Sequence, residues 1–204
     1  MEQAWYGCIT AGISTAICYP LDSLKTSLQS GRPIVNYYRG ILPELVGAVP
    51  SGMVYWYSYS TMRDKGYDTF ASSICGAIMG NFIDTPFDIL KKQRQLAMKS
   101  ALSTALCTKF GMLNVAHSVC YNSIYMPLLN YLMKEKEYNK TFSIFLCCCT
   151  ANTLTYPIDR WRTKVVYGKQ LASWYKGLGY RLMYGNLYSG MYMHLYLWLS
   201  DGRI

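Results

Sequence analysis

Three short segments of the chain carry an acid and a base three residues apart, each directly behind a proline. They are Tyr19-Pro20-Leu21-Asp22-Ser23-Leu24-Lys25, Thr85-Pro86-Phe87-Asp88-Ile89-Leu90-Lys91 and Tyr156-Pro157-Ile158-Asp159-Arg160-Trp161-Arg162. Residues three apart are neighbours on one helix face, so each segment presents a negative and a positive charge side by side. The chemistry this offers is ion pairing that can be made and broken. Bond-breaking chemistry is not encoded: the sequence shows no phosphate-binding glycine loop, no metal cluster and no nucleophile with a base, so the chain reads as no enzyme and takes no cofactor. The three prolines lie 66 and 71 residues apart, and a motif recurring at near-equal spacing marks an internal repeat.

A second triplet follows each of the first. Gly40 of Tyr38-Arg39-Gly40 lies 20 residues after Pro20, and Gly177 of Tyr175-Lys176-Gly177 lies 20 after Pro157. The middle copy, Lys109-Phe110-Gly111, places its glycine 25 after Pro86. The unit is therefore an apolar run, the Pro-Asp-basic motif, a polar link, an aromatic, basic and glycine triplet, and a second apolar run. It repeats over approximately 1–67, 68–138 and 139–204 of a single domain.

Six apolar runs result, at roughly 4–25, 41–63, 69–92, 111–133, 141–162 and 178–199. Each approaches or exceeds the ~20 residues a helix needs to cross a bilayer, and a proline inside such a helix kinks it without breaking it. The expected fold is an all-α membrane protein, with six transmembrane helices in three pseudo-symmetric two-helix repeats and both termini on one side.

Composition and charge fit that expectation. Of 204 residues only 15% are charged and 51% are hydrophobic, against roughly 25% charged in soluble domains. The mean hydropathy of +0.05 is low for a membrane protein. The 20 tyrosines lower it while suiting bilayer interfaces. A net charge of +9 is compatible with nucleic acid or with an anionic membrane surface. Its placement favours the membrane: the links at 20–44, 86–115 and 157–181 hold fourteen basic and four acidic residues, whereas the termini and remaining links balance. That is the one-sided excess of the positive-inside rule. No secretory leader is read in Met1-Glu2-Gln3. The eight cysteines form no CxxC pair and read as small apolar side chains, and His117 and His194 lack partners at ligand spacing.

The tripled Pro-x-Asp-x-x-basic motif with its aromatic-basic-Gly sequel resembles the mitochondrial carrier (solute carrier 25) family across the whole chain. Family members are longer, and the shortening falls between each proline motif and its glycine. The resemblance implies a solute transporter of the mitochondrial inner membrane working by alternating access, multi-pass, monomeric, with both termini on the intermembrane-space side. It implies a matrix-side gate in which Asp22 pairs with Lys91, Asp88 with Arg162 and Asp159 with Lys25, around helices kinked at Pro20, Pro86 and Pro157. Gln29 and Gln95 occupy the family's glutamine position four residues after the base, and Val166 departs from it. Bound cardiolipin is implied at Tyr38, Arg39, Gly40, Tyr175, Lys176 and Gly177, and no nucleic acid is expected.

The opposite gate departs from the family. Its aromatic-acid-x-x-basic positions read Tyr59-Ser60-x-x-Arg63, Asn130-Tyr131-x-x-Lys134 and Tyr196-Leu197-x-x-Ser200, without one acid. Asp64, Glu135 and Asp201 stand about a turn further on, as either a displaced network with Arg63 and Lys134 or solvated helix ends. Small-xxx-small pairs, Gly7 with Ala11 and Ser73 with Ala77, permit close helix approach, and Ile144 with Cys148 breaks that pattern.

By resemblance the substrate is read at Gly47, Ser118 (Val119 beside it) and Tyr184, none of them charged. Thr15, Asn81 and Asn152, five residues before each proline, are polar at symmetric places in apolar runs and favour a water-filled interior. Glu44 and Arg181, four residues after Gly40 and Gly177, would grip a zwitterion or pair with each other. Asp84 is either a functional intramembrane acid or a partner for backbone freed by Pro86. A small-molecule solute is expected, either an amino-acid-like zwitterion or a nucleotide-like metabolite. The alternative is a reduced carrier fold serving as a non-transporting membrane scaffold.

Overall fold

A computed structural model describes residues 2–30, 36–95, 104–135, 139–167 and 178–200. The described residues are all-helical, with no strand among them. Six long helices follow one another: α1 (Glu2–Ser30), α2 (Ile41–Asp64), α3 (Thr69–Gln95), α4 (Thr104–Asn130), α5 (Lys140–Tyr167) and α6 (Leu178–Leu199). A wide π-type turn at Tyr131–Glu135 continues α4. The three motif prolines lie inside α1, α3 and α5, and Pro50 and Pro127 lie inside α2 and α4. Each helix packs on its neighbours in sequence, and α1 packs on α6, so the six form a closed ring.

Local chemistry explains how the ring closes. Gly40 ends the first link in a left-handed conformation, φ 93°, directly before α2. A Cβ there would stand 2.9 Å from the Tyr19 hydroxyl and 3.1 Å from the Lys91 carbonyl, so glycine is needed for backbone and for space. The link is tied to α1 because the Tyr19 hydroxyl donates to the Arg39 carbonyl (2.8 Å) and Ser23 Oγ to that of Tyr37 (2.7 Å). Gly7 of α1 and Gly52 of α2 bring the two backbones together: a Cβ on either would come within 2.7 Å of the other's carbonyl oxygen.

The middle repeat differs from expectation. Helix α4 begins at Thr104, so Lys109-Phe110-Gly111 is helical and does not cap a helix as Gly40 does. Phe110 is wholly buried, beneath the cationic ends of Lys92 (5.1 Å) and Arg162 (5.7 Å). The five extra residues before Gly111 are taken up by an earlier helix start.

The ring places polar groups inside and large apolar groups outside. On α1, Trp5, Ile9, Ile13 and Ile17 recur every fourth residue and are exposed, while Thr10, Ser14, Asp22 and Lys25 are buried. The shortest helix, α6, has 22 residues, about 33 Å at the α-helical rise and comparable with a hydrocarbon core. Among the described residues, however, no helix is long and apolar enough to cross a membrane. The inward polar side chains and the many tyrosines are what lower the apolarity of every helix.

The interior has two unlike ends. Where the chain begins, α2, α4, α5 and α6 meet in a buried cluster that includes Trp56, Tyr59, Met126, Leu129, Ile144, Met193 and Tyr196. At the other end the buried groups are charged.

Candidate functional site

The charged end is built from the C-terminal halves of α1, α3 and α5, where the proline motifs turn their acids and bases inward. Lys91 Nζ stands 2.8 Å from Asp22 Oδ2, Lys25 Nζ 3.5 Å from Asp159 Oδ2, and Arg162 Nη1 3.9 Å from Asp88 Oδ2. Each acid thus meets the base of another proline motif, linking α1 to α3, α3 to α5 and α5 to α1. Gln95 braces the first pair, its Nε2 donating to Asp22 Oδ2 (3.3 Å), Tyr19 Oη (3.3 Å) and Ser23 Oγ (3.4 Å). The side chain of Gln29 lies outside the described residues, as do Tyr175, Lys176, Gly177 and Asp201.

The even helices add a second tier. Glu44 and Arg181, a candidate pair on sequence grounds, are engaged elsewhere. Glu44 Oε1 accepts from Lys91 Nζ at 2.7 Å. Arg181 Nε lies 3.8 Å from Asp159 Oδ2, and its Nη2 lies 3.0 Å from His117 Nε2. Proximity decides this: Lys91 and Asp159 already stand inside the ring, and each serves more than one partner. Asp159 also takes Arg162 Nη2 at 2.9 Å, and Lys92 Nζ holds Asp88 Oδ1 at 2.6 Å. Asp22, Asp88 and Asp159 are buried and Glu44 is partly so, and the charge of the three aspartates is balanced by these contacts more than by bulk water.

Two side chains of α4 belong to this tier: Asn114, which sequence reading passed over, and His117, read there only as lacking partners at ligand spacing. Asn114 donates from Nδ2 to Asn81 Oδ1 and Thr85 Oγ1, both at 3.2 Å, and accepts from Arg162. His117 is buried against Arg181. The available signal was their position: Asn114 and His117 fall three and six residues after Gly111, on the stretch that bears Glu44 in the first repeat.

A cavity of about 180 Å³ lies within the charged belt, bordered by Lys25, Lys91, Arg162, Arg181 and Tyr184. A second, of about 250 Å³, adjoins it towards the aromatic end. Glu44, Asp84 and Tyr188 line both. Of the candidate substrate contacts, Ser118 and Asn81 line the larger cavity and Tyr184 the smaller, its ring 5.6 Å from Lys25 Nζ. Gly47 is buried against α3, where a Cβ would meet Phe87 Cβ at 2.6 Å. Val119, Thr15 and Asn152 border neither cavity. Asn152 instead donates to the Cys148 carbonyl (2.9 Å) and is wedged on Gly185, whose missing side chain makes room for it.

Beyond the larger cavity the interior closes on aromatic rings. Trp56 stacks on Tyr196 with centroids 3.6 Å apart, packs edge-on to Tyr59 at 5.4 Å, and donates from Nε1 to Tyr192 Oη at 2.8 Å. Tyr55 donates to Asn122 Oδ1 (3.0 Å) and Tyr121 to Ser189 Oγ (2.9 Å), tying α2 to α4 and α4 to α6. Trp56, Tyr59 and Tyr196 are at most 2% exposed. Arg63 turns outward to the Tyr67 carbonyl, and Asp64 and Lys134 are exposed. The side chain of Glu135 lies outside the described residues. An aromatic layer therefore occupies this end of the interior, where a displaced charge network was one of the expectations.

The described residues thus form a closed ring of six helices with a polar interior, an ionic belt at one end and an aromatic layer at the other. The chain is 23% identical to a mitochondrial carrier of Schizosaccharomyces pombe over 95% of its own length and 68% of that protein's. A second carrier from the same yeast is 22% identical over 74% of this chain and 68% of its own. A mitochondrial carrier protein of Zea mays is 28% identical over 41% of this chain and 27% of its own. No protein-family model matches the chain. The chain is thus similar, at low identity over most of its length, to several mitochondrial carriers, and it spans about two thirds of the length of the yeast relatives.

Proposed function

We propose that this chain moves a small solute across the mitochondrial inner membrane by alternating access. Its three two-helix repeats, approximately 1–67, 68–138 and 139–204, would surround the cavities, with both termini facing the intermembrane space. The carrying observation is the belt in which Asp22, Asp88 and Asp159 each meet the base of another proline motif. Such a belt suits a gate on energetic grounds. Taking two charges out of water costs nearly what their attraction returns, so a buried pair holds geometry while adding little net stability. Contacts of that kind can be exchanged for others as the helices rock.

The inside-out arrangement supports the membrane placement: charges face the interior while Trp5, Ile17, Phe82, Leu154 and Trp198 face outward. The aromatic layer of Trp56, Tyr59 and Tyr196 would be the second gate, held by stacking where the family uses charge. Cardiolipin at the Tyr38-Arg39-Gly40 link and a monomeric state belong to the same reading by family resemblance.

The test is uptake by the full chain reconstituted into liposomes. Wild-type protein is expected to accumulate labelled solute, and the double variant Lys25→Ala with Lys91→Ala to lose uptake while still inserting. Wild-type protein that inserts yet moves no member of a broad metabolite panel would favour the scaffold reading.

A further inference from the structure

The two cavities differ in charge in a way that points to the solute. Among the described residues lining the larger one, the charged groups are Glu44 and Asp84, and no Lys, Arg or His borders it. Glu44 is held by Lys91 at 2.7 Å. Asp84 makes no ion pair and accepts no hydrogen bond among the described residues, since Lys91 serves Asp22 and Glu44 and Lys92 serves Asp88. Its carboxylate borders both cavities, one turn before the belt and beside Gly47, where a Cβ would stand 3.0 Å from Oδ1. The rest of the wall is rich in tyrosine, with Tyr55, Tyr121, Tyr188 and Tyr192 among it.

We infer that the larger cavity takes a compact solute bearing a cationic amine, with the ammonium held at Asp84. An acid in a low-dielectric wall without a cation of its own is costly, and an ammonium supplies the missing charge and up to three donors. The tyrosine faces and hydroxyls favour the same group, by cation–π attraction and by hydrogen bonding. An anion meets the opposite situation, with two carboxylates and no cation in this wall.

The belt beyond favours a carboxylate at the far end of that solute. On its α5–α6 side Asp159 takes Lys25, Arg162 and Arg181, at 3.5, 2.9 and 3.8 Å, and Arg162 also reaches Asp88 at 3.9 Å, so cations outnumber acids on these two helices. On its α2–α3 side Lys91 and Lys92 are taken by Asp22, Glu44 and Asp88, and Asp84 stands beside them unpaired among the described residues, so negative charge is in excess. A zwitterion would lie along that gradient. Size agrees: about 250 Å³ falls below the roughly 300–1,000 Å³ of sites for drug-sized ligands.

The assignment rests on the transport reading only in taking this cavity for the solute site. Its test is the thermal unfolding midpoint of the full chain in detergent with three matched probes. Serine carries ammonium and carboxylate, ethanolamine the ammonium alone, and glycerate the carboxylate with hydroxyl in place of nitrogen. Serine and ethanolamine are expected to raise the midpoint and glycerate to leave it unchanged. Asp84→Asn should weaken the amine response by about tenfold or more, the usual loss of a charge-assisted contact, and Asp84→Glu should retain part of it. Stabilisation by glycerate but by neither amine overturns the assignment. So does an amine response that Asp84→Asn leaves intact, or no response to either amine. Amine binding by a chain that transports nothing into liposomes upholds the assignment and removes the transport reading instead.

Discussion

At one end of the interior Lys91, Arg162 and Lys25 reach acids on other helices across 2.8, 3.9 and 3.5 Å. At the other, Trp56 crosses the ring to lie on Tyr196 with centroids 3.6 Å apart. Both contacts tie non-adjacent helices together, by different physics. The ionic end is directional and redundant: Lys91 has two acids and Asp159 three cations, so a partner lost in motion can be replaced. The aromatic end draws its stability from buried area, worth about 25 cal/mol per Å², and from stacking. Opening it would expose apolar surface. The difference teaches that one end of this interior is filled without acids, because a layer of large buried rings excludes water where the other end relies on paired charge.

The comparison can be broken most forcefully at Asp159. Asp159→Ala leaves Lys25, Arg162 and Arg181 around an empty place, and removing one partner of a buried ionic cluster costs about 3–5 kcal/mol. The expected result is a large fall in the unfolding midpoint in detergent. A midpoint within a degree of wild type would show that water already reaches these charges.

A smaller effect is expected between the ends. Gly47→Ala drives a methyl to 2.6 Å from Phe87 Cβ, and overpacking of this kind costs about 1–3 kcal/mol. Because it pushes α2 from α3 beside Asp84, both the midpoint and any uptake should fall.

The aromatic end is sharpened by a double-mutant cycle on Trp56→Leu and Tyr196→Leu. Stacked pairs contribute about 0.5–1.5 kcal/mol beyond their area, so the double variant should be less destabilised than the two singles added together. Strict additivity would reduce the stack to simple burial.

The smallest expected effect is at the brace. Gln95→Ala removes three long hydrogen bonds to Tyr19, Asp22 and Ser23, all 3.3–3.4 Å, worth together about 1 kcal/mol at most given their length. It should speed opening of the belt more than it lowers the midpoint, which transport rates read alongside unfolding would reveal.

Much of this was legible in the chain itself. Six helices follow from run lengths and from links rich in Gly and charge, and Asp22 with Lys25 share a helix face because three residues is nearly one turn. The role of Gly40 was legible as a motif position, though its reason, Tyr19 and the Lys91 carbonyl beneath it, was not. The start of α4 was misjudged because Gly111 was taken for the equivalent of Gly40, whereas the extra residues before it continue the helix backwards. Of the two alternatives for Glu44 and Arg181, mutual pairing does not occur, because Lys91 and Asp159 stand nearer to them.

The amino-acid sequence on its own determined local matters: helix periods, prolines within them, and which residue types recur at which offsets. These depend on neighbours within a turn or two. Closure of the ring decided the rest. Trp56 bonds to Tyr192 across 136 residues of chain, and Asn114 reaches Arg162 across 48. No local spacing encodes such choices, since which side chains meet across a cavity depends on how all six helices pack. The same packing turns Lys91 and Lys92 to other acids and leaves Asp84 without an ion pair among the described residues.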